Sequence, residues 1–98
     1  HNPDAFVCTN DIMAIGCLDT LRIEYNISIP QDISVVGFDG VEAATWLNYN
    51  LTTVIQPLER MVAAAVEMIL ERIEQPTLPA EKRLFAGTVK YGTTARLD

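Results

Sequence analysis

Ala5-Phe6-Val7-Cys8-Thr9-Asn10-Asp11-Ile12-Met13-Ala14-Ile15-Gly16-Cys17-Leu18 passes from a short apolar run straight into helical spacing. The run Ala5–Thr9 directly follows Pro3-Asp4 and is continuous rather than alternating in its apolar character, so it reads as a buried strand ending near Thr9. Asn10 or Asp11 can then cap a helix, because a short side-chain oxygen accepts one of the free first-turn amides. Met13, Cys17 and Leu21, with Ile12, Leu18 and Tyr25, recur at helical spacing behind that cap. The helix is expected to stop around Tyr25-Asn26, since Asn tolerates the left-handed conformation at a helix end. Ile33-Ser34-Val35-Val36-Gly37-Phe38 is again continuous and rich in β-branched residues, a second strand. A strand, a helix of about four turns and a second strand make a right-handed βαβ unit, hence parallel strands covered by helices.

Outward from this unit, Ile27–Asp32 is a connection in which Pro30 drives Ile29 away from helical geometry. Val41–Leu47 predicts two helical turns, Asn48-Tyr49-Asn50 breaks them, and Leu51-Thr52-Thr53-Val54-Ile55 is a third strand. Pro57 opens a long helix from a first-turn position, where its missing amide hydrogen does no harm. Leu58, Met61, Val62, Ala65, Val66, Ile69 and Ile73 mark the apolar face of that helix to Glu74, while Glu59, Arg60, Glu67, Glu71 and Arg72 supply a wet one. After the proline-marked loop Gln75–Lys82, Arg83–Tyr91 reads as a last strand interrupted by Gly87. The expected order is β-α-β-(short α)-β-α-β, an α/β fold built on a parallel sheet. Two long helices cannot cover both faces of such a sheet, so further chain or another subunit is expected to complete the layers.

Composition narrows the function. A chain of 98 residues with 49% hydrophobic residues is one small domain or part of one. Thirteen acidic against seven basic residues give a net charge of −6, which opposes the phosphate contacts that supply most nucleic-acid affinity. No apolar run approaches the roughly 20 residues of a membrane-spanning helix, and His1-Asn2-Pro3-Asp4 has neither a basic leader nor a secretory core. Cys8 and Cys17 match no metal-ligand or redox spacing and are expected to be buried free thiols. Gly37 and Gly40 are isolated and form no phosphate loop, and no Ser or Cys has a histidine available beyond terminal His1. No cofactor is implied.

In open α/β sheets ligands bind beyond the carboxyl ends of the strands, where loops and helix N-termini converge. Asn10-Asp11 follow the first strand, Asp39 the second and Gln56 the third. Carboxylates accept hydroxyl hydrogen bonds and amides both donate and accept, a set suited to a sugar or another small polar ligand. Each residue also has a plainer use: helix capping at Asn10 or Asp11, a turn at Asp39-Gly40, strand termination at Gln56. Trp46 could stack on a sugar or sit in a subunit contact, though packing under a short helix is the commoner fate of a lone Trp.

Three segments resemble the lactose-repressor (LacI/GalR) family in order and spacing: Ala5–Leu18, then Ile29-Pro30-Gln31-Asp32-Ile33-Ser34-Val35-Val36-Gly37-Phe38-Asp39, then Leu51-Thr52-Thr53-Val54-Ile55-Gln56-Pro57. With Lys90-Tyr91-Gly92-Thr93-Thr94 the likeness spans nearly the whole chain, although Asn48-Tyr49-Asn50 stands where the family usually has Thr-Pro-Pro, and Tyr91 where Arg is common. The resemblance implies the last third of a two-lobed, periplasmic-binding-protein-like (type I) effector domain of a cytoplasmic transcription regulator, and no enzyme. Residues 1–56 and 83–98 would belong to the C-terminal lobe, and the helix 57–74 would pack on an N-terminal lobe outside this sequence. Asp39, Asn10 and Gln56 match the family's effector contacts. Ile15, Leu18, Asp19 and Arg22, on the side of the first helix expected to be exposed, match its homodimer contacts together with Trp46 and Leu47. Operator DNA would be met only through a headpiece outside these residues. The nearest rival is a periplasmic sugar-binding protein of a transporter, which shares the fold; an α/β enzyme is more distant.

Overall fold

The βαβ start expected from residues 5–36 is present in the computed structural model, which describes residues 2–97. The elements run β1 (Ala5–Val7), α1 (Asp11–Asp19), a π-helical turn (Thr20–Glu24), β2 (Ser34–Val36), a 3-10 turn (Glu42–Thr45), β3 (Thr53–Ile55), α2 (Leu58–Glu74) and β4 (Thr88–Lys90). The first helix keeps its expected reach to Tyr25, its last stretch relaxing into the π turn, and Asn26 takes the left-handed φ of 52°. The last strand is shorter than Arg83–Tyr91 suggests, because only Thr88–Lys90 find a ladder partner.

Contacts divide the chain into two units, residues 1–55 with 88–98, and residues 56–87. In the first, β1 and β2 pair in parallel with Phe6 opposite Val35. Parallel bridges Val36–Thr52 and Asp39–Ile55 continue the sheet from β2 to β3. β4 then pairs antiparallel with β3, Val54 opposite Val89, so the sheet is parallel in its β1-β2-β3 part and closes on an antiparallel edge. The segment after β4 returns to β2: the Val35 amide donates to the Thr94 carbonyl at 2.8 Å, and the Thr94 hydroxyl, fully buried, donates to the Val35 carbonyl at 2.6 Å.

The core of this unit is Ala14 and Leu18 of α1 against Ile33, Val35, Ala44 and Leu51. Cys8, Cys17, Leu21, Val41 and Tyr49 border it half-buried. Strand β1 is not the buried strand its apolar run predicts: all three of its residues are exposed, Val7 to 82%, and α1 packs against β2.

The second unit is α2 and the segment that runs back along it. The Pro57 carbonyl accepts the first intrahelical bond, from the Met61 amide at 3.0 Å, which places the proline at the cap where it has no amide to lose. Arg72 donates to the Pro79 carbonyl at 2.7 Å, Arg83 pairs with Glu67 and Glu81, and the Arg60 guanidinium lies 5.4 Å from the Phe85 ring centre. Leu58, Val62, Val66, Ile69 and Ile73, all on the apolar face read from the sequence, remain exposed.

Candidate functional site

The rim is organised by Asp11, which the sequence offers both as a helix cap and as one of the polar groups beyond the first strand. Asn10 takes the cap: its Oδ1 accepts from the Met13 amide at 2.8 Å. Asp11 is thereby released to turn inward from the first turn of α1, where it is fully buried. Its Oδ2 accepts from the Gly40 amide at 2.7 Å and the Val41 amide at 2.9 Å, and its Oδ1 accepts from the Thr53 hydroxyl at 2.6 Å. A buried carboxylate is costly unless hydrogen-bonded, and three donors, two in the loop after β2 and one at the start of β3, meet that demand. Each such charge-assisted bond contributes about 1.5–3 kcal/mol.

Gly37 makes room for this carboxylate: a side-chain carbon there would collide with Asp11 Oδ1 and stand 2.8 Å from Leu51 Cδ2. Gly40 meets two demands at once, a φ of +80° and a close approach in which a Cβ would stand 2.7 Å from Ile55 Cγ1.

Asp39 lies between these glycines, at the carboxyl end of β2, half-buried and with φ of 125°. An L-residue with a side chain pays about 1–3 kcal/mol for such backbone and keeps it only where its surroundings over-determine it. Here they do: the Asp39 amide donates to the Val54 carbonyl at 2.9 Å, and the next two amides go to Asp11. Asn10 and Asp39 therefore sit on one rim of the first unit, as their places after β1 and β2 predict. Gln56 follows β3 and begins the second unit, its carbonyl accepting from the Leu58 amide at 2.9 Å.

The residues matched to a subunit interface fall into two groups. Leu18 is a correction: it is 0% exposed and belongs to the core, because the face of α1 that carries Ala14 and Leu18 is the one pressed on β2. Ile15 is half-buried. Asp19 and Arg22 serve their own chain by tying the end of the first helix to the turn after Trp46. Asp19 Oδ2 accepts from the Tyr49 hydroxyl at 3.1 Å, and Arg22 donates to the Asn48 carbonyl at 2.6 Å. The hydrogen bond to Asp19, helped by partial burial, raises the Tyr49 pKa above the ordinary phenol value. Trp46 is 57% and Leu47 95% exposed, so Trp46 does not pack under the short helix.

Burial, with the Cys8 thiol beside it, pushes the Cys17 thiol up from its ordinary value. Both cysteines are free but half-buried rather than buried. Among the described residues no three His, Cys, Asp or Glu side chains converge to hold a metal ion, and no helix is long and apolar enough to cross a membrane. An open hollow of about 430 Å³ lies at the other end of the sheet, where Asn2 and Asp32 join an apolar lining that includes Phe6, Leu21, Tyr25 and Ile33. It sits at the amino ends of the strands, so the rim at their carboxyl ends is the better candidate.

Residues 1–95 match the family model of the periplasmic binding protein-like domain. The chain belongs to that family. As a periplasmic binding protein-like domain it is of the kind carried by LacI-type regulators. It is 46% identical over 85 residues to the HTH-type transcriptional repressor PurR of Vibrio atlanticus, a match covering 87% of this chain and 25% of that protein. It superposes on a LacI-type transcription regulator from Bifidobacterium animalis subsp. lactis with a TM-score of 0.85 and 35% identity, over 98% of this chain and 34% of the other. A LacI family regulator from Lactobacillus casei with bound sucrose gives a TM-score of 0.76 and 30% identity, over 95% of this chain and 34% of the other. The chain thus spans about a quarter of the length of the curated relatives it matches. Those relatives are named as transcription repressors, which favours the regulator over the transporter component that shares its fold.

Proposed function

We propose that this chain is the C-terminal portion of the effector-sensing domain of a LacI-type transcription repressor, and that Asp39 hydrogen-bonds a small polar effector, of the sugar class, at the rim. The observation that carries this reading is the backbone of Asp39. A carboxylate held at φ of 125° at the carboxyl end of a central strand is strain retained at the place where α/β sheets bind ligands. Asn10, whose Oδ1 is engaged as a cap, and Gln56 are the further effector contacts. The sucrose bound to the Lactobacillus casei regulator supports the choice of ligand class.

In this reading residues 1–56 and 83–98 form one wall of the cleft, and the helix 57–74 packs on an N-terminal lobe that completes it. The exposed apolar face of α2 supports that assignment. Ile15, Asp19, Arg22, Trp46 and Leu47 contact a second copy, effector binding biases lobe closure, and the dimer passes that bias to operator DNA through a headpiece outside these residues. The protein acts in the cytoplasm and catalyses no reaction.

Calorimetry on the full-length protein tests the central claim, after a thermal-shift screen of sugars and nucleobases has supplied an effector. Asp39→Ala is expected to weaken binding at least tenfold, about the equivalent of one charge-assisted hydrogen bond. Wild-type affinity in that variant overturns the assignment.

A further inference from the structure

Asp11 has no access to solvent, so it cannot touch an effector, yet its carboxylate spans three elements of the rim. It leaves from the first turn of α1, reaches 29 and 30 residues along the chain to the amides of Gly40 and Val41, and 42 residues along to the hydroxyl of Thr53 in β3. Three consecutive amides after β2 are therefore all taken from outside their own segment, Asp39 by the Val54 carbonyl and the next two by Asp11. A loop with its amides pinned in this way has no freedom to relax the positive φ of Asp39. Gly37 is fitted to the same carboxylate, since a side chain at that position would displace Asp11 Oδ1.

We propose that Asp11 is the positioning residue of the rim. Its buried carboxylate, oriented by the Thr53 hydroxyl, holds the Asp39-Gly40-Val41 backbone in the strained geometry that presents Asp39. This rests on the reading of the rim as the effector wall, and it adds to that wall two residues, Asp11 and Thr53, that no effector reaches. Thr53 is itself fully buried, so the pair acts through the loop alone.

Site-resolved amide hydrogen exchange on the full-length protein tests the positioning without needing an effector. Asp11→Asn keeps the size of the side chain but removes its charge, so the bonds from the Gly40 and Val41 amides are no longer charge-assisted. It is expected to speed exchange at Gly40 and Val41 at least tenfold, while Val35 in the core and Leu18 in α1 keep wild-type protection. Thr53→Val is expected to act in the same direction more weakly, and Thr53→Ser, which retains the hydroxyl, to restore wild-type rates. Unchanged exchange at Gly40 and Val41 in Asp11→Asn overturns the proposal. So does a uniform rise across the sheet, which marks a residue that only holds the fold. Titration of sucrose, glucose and adenine into the wild-type protein separates the two readings: no binding counts against the effector wall, while the exchange result decides the role of Asp11 by itself.

Discussion

Two glycine-to-alanine substitutions in this chain are expected to change stability in opposite directions, and the structure gives both magnitudes. Gly16 lies on the exposed side of α1 with nothing within 4 Å of the place a Cβ would occupy. Gly16→Ala then gains helix propensity and restricts the unfolded chain, stabilising by about 0.5–1 kcal/mol. Gly37 is buried at the end of β2, where an added carbon collides with the Asp11 carboxylate and stands 2.8 Å from Leu51 and 3.3 Å from Ala14. None of these neighbours can yield cheaply. Asp11 is held by three hydrogen bonds, and Leu51 and Ala14 are fully buried in the core. Overpacking of this kind costs about 1–3 kcal/mol, and moving the carboxylate far enough to admit the methyl loses about one charge-assisted bond, a further 1.5–3 kcal/mol. After the same gain from the unfolded chain, Gly37→Ala is expected to destabilise by about 2–5 kcal/mol, much of the stability of a small domain. Urea unfolding of the 98-residue chain, followed together by circular dichroism and by the fluorescence of its one tryptophan, Trp46, measures both. A Gly37→Ala variant as stable as wild type, or a Gly16→Ala variant that falls with it, refutes the packing described around Asp11.

Leu18→Ala leaves a cavity in the core and is expected to cost about 2–5 kcal/mol independently of protein concentration. A loss that instead tracks dimer dissociation returns Leu18 to the interface. Leu47→Glu, at a position 95% exposed, is expected to leave chain stability within about 0.5 kcal/mol and to weaken dimerisation of the full-length protein. Sedimentation at several concentrations reads this, and an unaltered dimer removes Leu47 from the contact. Burial disfavours the Cys17 thiolate, so folding stabilises the protonated thiol, a contribution present below the ordinary thiol pKa and lost as pH rises through the raised one. Alkylation of Cys17 followed by mass spectrometry is therefore expected to rise later with pH in the folded chain than in urea. Coincident profiles contradict the burial.

The strand-helix-strand start, the second helix and the family were legible because each rests on local information: continuous apolar runs, caps, proline placement and three motifs in order. Asn10 as a cap and Asn26 as a left-handed helix end follow from their own side chains. The errors also share a cause. Leu18 recurs with Ile12 and Tyr25 at helical spacing, which does not say which flank faces β2, and the family likeness matches it to a homodimer contact; the structure puts it in the core. The exposure of β1 and of Trp46 was hidden because an apolar run reads as buried whether or not the elements that would cover it are in the sequence.

The same division runs through the site. From the residues alone came the positions of Asn10, Asp39 and Gln56 after successive strands, since strand ends and turns are written in short windows. Only the tertiary structure decided that the carboxylate next to the cap turns inward, because its partners lie 29 to 42 residues away and come together only when β2 and β3 are side by side. Asp39 is thus named by the sequence, but its strained backbone is set by bonds that no local pattern encodes.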